Sequence, residues 1–253
     1  MTIKKHIPNL ITSLNLLSGV IAVLFAVKDQ LVFAAFFVFL GIFFDFFDGL
    51  AARLLNVQGE LGKQLDSLAD VVTSGVVPGI VLFQLIRKSS GWDSELSYFD
   101  KTTLVENFNS TVLFSLIGLL FTVAAAYRLA NFNIDERQSS SFIGLPTPAA
   151  TLVVLSLPLI IAYGNNDLAS SLIENKWFLI GLTVLLSFFM NYEIPLFSLK
   201  FKDFGWKNNK VKFIFIGLTI VASVIFQFIA IPLVIILYVL LSLIAKKEIA
   251  TNS

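Results

Sequence analysis

The chain contains no cysteine, and this absence excludes disulfide bonds and thiolate metal sites. Its single histidine, His6, precedes the first apolar run, so no Ser-His-Asp arrangement can be assembled around it. The sequence also lacks a glycine-rich phosphate-binding loop of the Walker type. Only 14% of the residues are charged, whereas soluble domains average about 25%. The formal net charge of +1 indicates no nucleic-acid partner.

Long apolar runs replace the missing charge, because 57% of the 253 residues are hydrophobic. A helix needs about 17–25 mostly apolar residues to cross a membrane. We therefore predict an all-α integral membrane protein with about eight transmembrane helices in a single catalytic domain, residues 1–253. The last two spans are predicted to form a hairpin, since one continuous helix would overshoot the bilayer. The predicted spans are 10–27, 31–52, 66–86, 111–130, 147–163, 177–191, 212–227 and 229–245.

The distribution of basic residues predicts the orientation of these spans. With eight spans both termini lie on one side of the membrane. Thirteen Lys and Arg residues fall on that side and five on the opposite side. Because cytoplasmic loops carry the excess of Lys and Arg, we predict a multi-pass protein of the cytoplasmic (inner) membrane with both termini in the cytoplasm. The first span is predicted to be retained, since no small-residue cleavage site follows it.

Four aspartates lie in or beside the second and third apolar runs. Asp45 and Asp48 are three residues apart and Asp66 and Asp70 are four apart, so each pair lies on one helix face. Because the link 54–65 is short, we predict that the two helices are antiparallel neighbours with all four carboxylates facing one crevice at the cytoplasmic end. An acid inside a membrane span is costly and usually functional. Carboxylates select hard cations such as Mg²⁺ or Mn²⁺, and two such ions form a clamp for displacement at phosphorus.

Three other roles for the acids fit the sequence less well. Structural ion pairs at helix ends would need bases, and only Arg53 and Lys63 are near enough in sequence. A divalent-cation transporter would need acids distributed across the membrane, whereas these lie at one end of two spans. A catalytically dead scaffold would not need all four acids. A metal site that handles phosphates is therefore the preferred interpretation.

The segment from Asp45 to Asp70 follows the pattern Asp-x2-Asp-Gly-x2-Ala-Arg-x8-Gly-x3-Asp-x3-Asp at every fixed position. This pattern resembles the signature of the CDP-alcohol phosphotransferase family, in which an alcohol attacks the β-phosphate of a CDP-linked donor and CMP leaves. The resemblance implies a homodimer and two divalent cations, Mg²⁺ or Mn²⁺. It also implies that the cations are held by Asp45, Asp48, Asp66 and Asp70, and that Asp70 is the general base on the acceptor hydroxyl.

The amino-terminal segment Pro8-Asn9-Leu-Ile-Thr12-Ser-Leu-Asn15 adds to the resemblance, because family members commonly begin with such a segment lining the nucleotide pocket. Asn9 or Thr12 can alternatively cap the first helix. Gly49 leaves space for a ligand near the backbone, and Arg53 can bind a phosphate through two hydrogen bonds. The resemblance thus implies binding of CDP-diacylglycerol by Asn9, Thr12, Asn15, Gly49, Ala52, Arg53 and Gly62.

A second string, Arg128-Leu-Ala-Asn131-Phe-Asn133 followed by Gly144-Leu-Pro146-Thr-Pro148, resembles the phosphatidylserine synthase branch of this family. Asn131 stands where arginine is usual in that branch. The resemblance implies L-serine as the acceptor, with Arg128, Asn131 and Asn133 as acceptor-binding or phosphate-binding residues. Glycerol 3-phosphate, an inositol phosphate or an amino alcohol stay open as alternative acceptors. The two prolines predict a rigid turn before the fifth span.

Overall fold

The computed structural model describes residues 2–91, 110–135, 142–196 and 205–251, which are almost entirely helical. Residues Val71–Val76 form a six-residue π-helix, and Ile117–Leu119 form a 3-10 turn. Two short strands pair antiparallel, with Phe142 opposite Leu196. The elements are α1 Thr2–Val27, α2 Leu31–Leu54, α3 Glu60–Asp70, α4 Val77–Ser89, α5 Ser110–Leu116, α6 Leu120–Ile134, β1 Phe142–Ile143, α7 Thr147–Tyr163, α8 Asp167–Ile173, α9 Lys176–Asn191, β2 Pro195–Leu196, α10 Trp206–Phe226 and α11 Ala230–Thr251.

Helix length and hydropathy identify an integral membrane protein. Among the described residues, five helical stretches are long and apolar enough to cross a membrane, or six if α8 and α9, bent by 75°, count as one span. Helix α7 is apolar but shorter. The number of eight spans stays a prediction. Helix α1 begins well before residue 10, and α7 has the predicted bounds.

The apolar stretch Asn209–Leu243 is 35 residues long but does not run straight. The ring centroids of Phe215 and Tyr238 are 5.7 Å apart, whereas 23 residues of straight helix would separate them by about 34 Å. The reversal lies at Gln227, whose φ is 49°. Helices α10 and α11 therefore form the predicted hairpin, and it packs against α7 and β2 at the edge of the bundle.

The centre of the bundle is the continuous element formed by α3, the π-helix and α4. Two thirds of its membrane-length window is buried, against one third for α1 and α2. Helix α1 packs against α2, α3 and the π-helix, and α2 approaches the central element mainly at the π-helix. Helices α2 and α3 are therefore not the simple antiparallel pair that the short link predicts, because α1 packs against both of them.

Two glycines permit this close packing at Thr73 of the π-helix. A Cβ added to Gly41 of α2 would lie 2.7 Å from Thr73 Cγ2, and one added to Gly19 of α1 would collide with Thr73 Oγ1. Three backbones thus converge on one buried threonine, 1% exposed. This crossing lies next to Asp70. It fixes the positions of α1, α2 and the central element along one another.

Candidate active site

Three of the four aspartates form one carboxylate cluster. One oxygen from each of Asp45, Asp48 and Asp66 lies within 4.8 Å of the others. Asp45 and Asp48 come from the last turns of α2, and Asp66 from the middle of α3. The sequence predicted that all four carboxylates face one crevice, and the structure brings these three together from α2 and α3, which both pack against α1.

Asp48 is held by a residue of α1. The hydroxyl of Thr12 donates to Asp48 Oδ2 at 2.6 Å, and both side chains are buried. Thr12 lies inside α1 rather than at its start, so it does not cap the helix. Asn9 is likewise inside the helix. The capping alternative for these two residues is therefore wrong.

Asp70 is oriented by a buried chain of hydrogen bonds. Asn15 Nδ2 donates to Asp70 Oδ1 at 3.2 Å, and Thr73 Oγ1 donates to Asn15 Oδ1 at 2.9 Å. Because a carboxylate oxygen accepts and does not donate, the NH₂ group of Asn15 faces Asp70 and the amide oxygen accepts from Thr73. Asn15 is fully buried. Its observed partners are Asp70 and Thr73, and its contact with a donor nucleotide stays a prediction.

A cavity of about 670 Å³ opens beside the cluster, between the start of α1, the end of α2 and the start of α3. Asp48 and Asp66 form part of its wall, and three basic side chains, Lys5, Arg53 and Lys63, form another part. A cavity with both acids and bases in its wall suits a diphosphate, because cations held by the acids and the basic side chains can share its negative charge. Of the predicted donor-binding residues, those on this wall are Asn9, Thr12, Gly49, Ala52, Arg53 and Gly62.

Two glycines shape this donor cavity. A Cβ on Gly49 would lie 3.5 Å from Arg53 Nη1, so the guanidinium lies over the glycine. A Cβ on Gly62 would lie 3.3 Å from Asn9 Oδ1, which is tighter than ordinary contact. Glycine at position 62 therefore leaves room for Asn9 at the cavity wall, whereas a Cβ at position 49 would make only an ordinary contact with Arg53.

The acidic cluster has the composition of a site for hard cations. In the part of the chain that the structure describes, no Lys or Arg nitrogen lies within 4.0 Å of the four carboxylates, because the ion pairs found there join Arg87 and Lys88 to Asp29. The Oδ1 atom of Asp66 is buried without a hydrogen-bond partner. Buried carboxylates without partners are strongly unfavourable unless a cation is present. Oxygen-only donors of this kind fit Mg²⁺ or Mn²⁺.

The predicted acceptor residues do not all lie together. Arg128 and Asn131 line a second, smaller cavity. Arg128 is 7% exposed, its Nη1 donates to Thr147 Oγ1 at 3.0 Å, and its charge attracts that of Asp70. Asn133 instead donates to Ser67 Oγ at 2.7 Å, which attaches α6 to α3. Its position indicates a packing role at the helix end rather than a place in the second cavity.

Comparison with protein families matches residues 5–189 to "CDP-alcohol phosphatidyltransferase". The chain belongs to the CDP-alcohol phosphatidyltransferase family. The match covers both acid pairs and ends before the α10–α11 hairpin. This result agrees with the family resemblance of the signature between Asp45 and Asp70.

Several relatives within the CDP-alcohol phosphatidyltransferase family carry a more specific name. The chain is 32% identical over 223 residues to the CDP-diacylglycerol–serine O-phosphatidyltransferase of Helicobacter pylori (strain J99), covering 85% of this chain and 80% of the relative. It is 32% identical over 170 residues to the enzyme of the same name from Bacillus subtilis, covering 65% and 85%. It is also 28% identical over 153 residues to an archaetidylserine synthase of Methanothermobacter thermautotrophicus, covering 59% and 56%.

Sequence reasoning missed two features of this member of the CDP-alcohol phosphatidyltransferase family. Thr73, which orients Asn15, lies three residues after Asp70 and carries no pattern of its own. Asp135 and Glu193 line the second cavity with Arg128, although Glu193 lies 65 residues after Arg128 and 58 after Asp135 in the chain. No local signal reports such a meeting, because it depends on how α6 packs against α9.

Proposed function

We propose that the chain transfers a phosphatidyl group from CDP-diacylglycerol to L-serine, giving phosphatidylserine and CMP. The observation that carries this proposal is that most of the signature meets in space. Asp45, Asp48 and Asp66 form one cluster, and Gly49, Arg53 and Gly62 line a cavity whose wall includes Asp48 and Asp66. The names of the relatives support serine as the acceptor. A two-chain lipid donor also explains why the site lies on membrane helices.

The donor is held through its diphosphate and nucleotide. Arg53, Lys5 and Lys63 offer positive charge along the cavity wall, and Asn9 offers a side-chain amide. Asp45, Asp48 and Asp66, with Asp70, would hold two divalent cations, Mg²⁺ or Mn²⁺. When bound, these cations offset charge on the diphosphate and stabilise the CMP leaving group. Thr12 keeps the Asp48 carboxylate in place through its short hydrogen bond.

The transfer step needs a base at the acceptor hydroxyl, and Asp70 is the proposed base. The serine hydroxyl gives its proton to the Asp70 carboxylate while its oxygen forms a bond to the β-phosphorus. The bond from that phosphorus to the bridging oxygen breaks, and the oxygen leaves with CMP. Asn15 donates to one Asp70 oxygen, which directs the other oxygen toward the substrate. Positioning of this kind is a main source of rate enhancement.

An acceptor assay tests the proposed function directly. Purified protein receives CDP-diacylglycerol, Mg²⁺ or Mn²⁺, and serine, glycerol 3-phosphate or inositol phosphate in separate reactions. We expect CMP release with serine and not with the phosphorylated alcohols. Release with glycerol 3-phosphate but not with serine would refute the acceptor assignment while leaving the family chemistry intact.

The Asp70→Asn variant tests the proposed base. Asparagine keeps the shape of the side chain but accepts no proton, so we expect turnover to fall at least about 100-fold, within the range of general-base effects. Nucleotide binding, measured by titration with a CDP-lipid analogue, should change little. Asp167→Asn, the same chemical change on an exposed residue of α8, is the control. Near-normal turnover by Asp70→Asn would show that another group takes the proton.

We also propose a single catalytic domain in the inner membrane, with both termini and the active site facing the cytoplasm, and a homodimer as the assembly. The excess of basic residues on the side of the termini supports the orientation. Because the chain has no cysteine, Lys210→Cys and Ser171→Cys provide single labelling sites. A membrane-impermeant maleimide added to intact cells should label Ser171→Cys and not Lys210→Cys. The reverse labelling would overturn the orientation, and a monomer mass in detergent would overturn the dimer.

A further inference from the structure

The second cavity is separate from the donor cavity and has Arg128 in its wall. Its volume is about 380 Å³, enough for a small amino acid, and it shares no lining residue with the donor cavity. The end of α6 and the end of α9 form most of its wall, with the segment that follows each helix. It is therefore a separate compartment with its own chemistry.

A buried cation forms one end of this compartment. Arg128 is more than nine-tenths buried, and its bond from Nη1 to Thr147 fixes the plane of the guanidinium. Its Nε atom is buried and has no hydrogen-bond partner. A buried donor without a partner is unfavourable, and an arginine edge matches the geometry of a carboxylate. Arg128, in the wall of this compartment, therefore carries an unmatched donor suited to an anionic group.

Two acids line the same compartment. Asp135 follows the last residue of α6, and Glu193 lies two residues after the end of α9. Amide and phenol groups complete the polar wall, from Asn131, Asn191 and Tyr192. Among the described residues of this wall, the buried cation and the two acids complement a molecule that carries both a carboxylate and an ammonium group.

We propose that this cavity is the acceptor subsite. The carboxylate of the amino acid binds Arg128, its ammonium group lies near Asp135 and Glu193, and its hydroxyl points toward Asp70. Arg128 lies on α6, which packs against α3 and against the π-helix that directly follows Asp70, so the cavity is on the Asp70 side of the bundle. This proposal rests on the proposed serine transfer, and it adds the residues that select an amino acid over a phosphorylated alcohol.

The double variant Asp135→Asn and Glu193→Gln removes both acids with little change of shape. We expect the KM for serine to rise at least about tenfold, because charge-assisted hydrogen bonds to the ammonium group are lost. The KM for CDP-diacylglycerol should change less than about twofold. Glu174→Gln, an exposed acid outside both the donor and the acceptor cavity, is the control for the chemical change. Thermal unfolding in detergent verifies that each variant is folded.

Acceptors that lack one charged group separate selection from a general loss of activity. Transfer to 3-hydroxypropionate, which lacks the ammonium group, should not be weakened by the double variant. Ethanolamine, which lacks the carboxylate, should remain a poor acceptor for the wild-type protein. An unchanged KM for serine, or an equal loss with 3-hydroxypropionate, would overturn the subsite. Absence of any serine-dependent CMP release from the wild type would instead overturn the proposed function, and the subsite with it.

Discussion

Replacement of Thr73 by valine offers a sharp test of how the site is built. Valine has nearly the shape of threonine, so it fills the crossing between Gly19 and Gly41 but cannot donate to Asn15. The Oδ1 atom of Asn15 then loses its side-chain donor while remaining buried. The Asn15 amide is then held only by its bond to Asp70, so its position, and with it the orientation of the Asp70 carboxylate, is less firmly fixed.

The size of the effect follows from the cost of an unsatisfied buried acceptor, about 1–3 kcal/mol. If the productive orientation of Asp70 is destabilised by this amount, kcat drops roughly 5- to 150-fold, at about 1.36 kcal/mol for each factor of ten. Because Thr73 touches neither substrate cavity, the KM values for both substrates should change less than about twofold. CMP release at saturating serine and donor measures kcat.

Thr73→Ser distinguishes positioning from packing. Serine keeps the hydroxyl and loses the methyl group next to Gly41, so a positioning role predicts a kcat within about threefold of the wild type. A packing role predicts the opposite order, with serine more harmful than valine. Equal kcat values for the wild type and a folded Thr73→Val variant would refute the reasoning.

Three further changes address the metal, the acceptor side and the helix crossing. Asp66→Asn should weaken Mn²⁺ binding at least about tenfold in a titration followed by electron paramagnetic resonance without substrate, since it removes a charged ligand; unchanged affinity would remove Asp66 from the metal site. Asn131→Arg, which restores the residue usual in relatives, should leave activity equal or higher, and a severe loss would show that this chain uses Asn131 differently. Gly41→Ala should lower stability by about 1–3 kcal/mol, because its Cβ would lie 2.7 Å from Thr73 Cγ2, whereas Gly181→Ala, with open space around it, should not. Thermal unfolding in detergent compares the two alanine variants, and equal melting temperatures would contradict the close crossing.

Local patterns predicted most helices and the carboxylate cluster. Long apolar runs predict membrane-spanning helices almost directly, and the spacing within each acid pair predicts that both carboxylates lie on one face of their helix. The final hairpin was predictable from length alone, because lipid thickness limits a straight helix. Helix α1 began earlier than predicted because its first turns are polar, as at Lys4, Lys5 and His6, and hydropathy does not report helix outside the membrane.

The residues around the cluster were less predictable than the cluster itself. The family pattern assigned Asn15 to the nucleotide, but the structure buries it between Asp70 and Thr73. That position depends on the close crossing of α1 and the π-helix. In the sequence, the only trace of this crossing is Gly19 and Gly41, which no pattern distinguishes from other glycines. The meeting of Arg128 with Asp135 and Glu193 likewise depends on tertiary packing, so it has no signature in the chain.

The π-helix at Val71–Val76 sets the rotational phase between two parts of one continuous element. Before it, α3 turns Asp66 and Asp70 toward the carboxylates of α2; after it, α4 turns its apolar residues into the core. Each residue in a helix advances the side-chain direction by about 100°. Because the π-helix already holds more residues per turn than an α-helix, one more residue inserted within 71–76 would swing the acids of α3 away from their partners while α4 stayed in place. The length of this segment therefore decides the direction in which α3 presents Asp66 and Asp70.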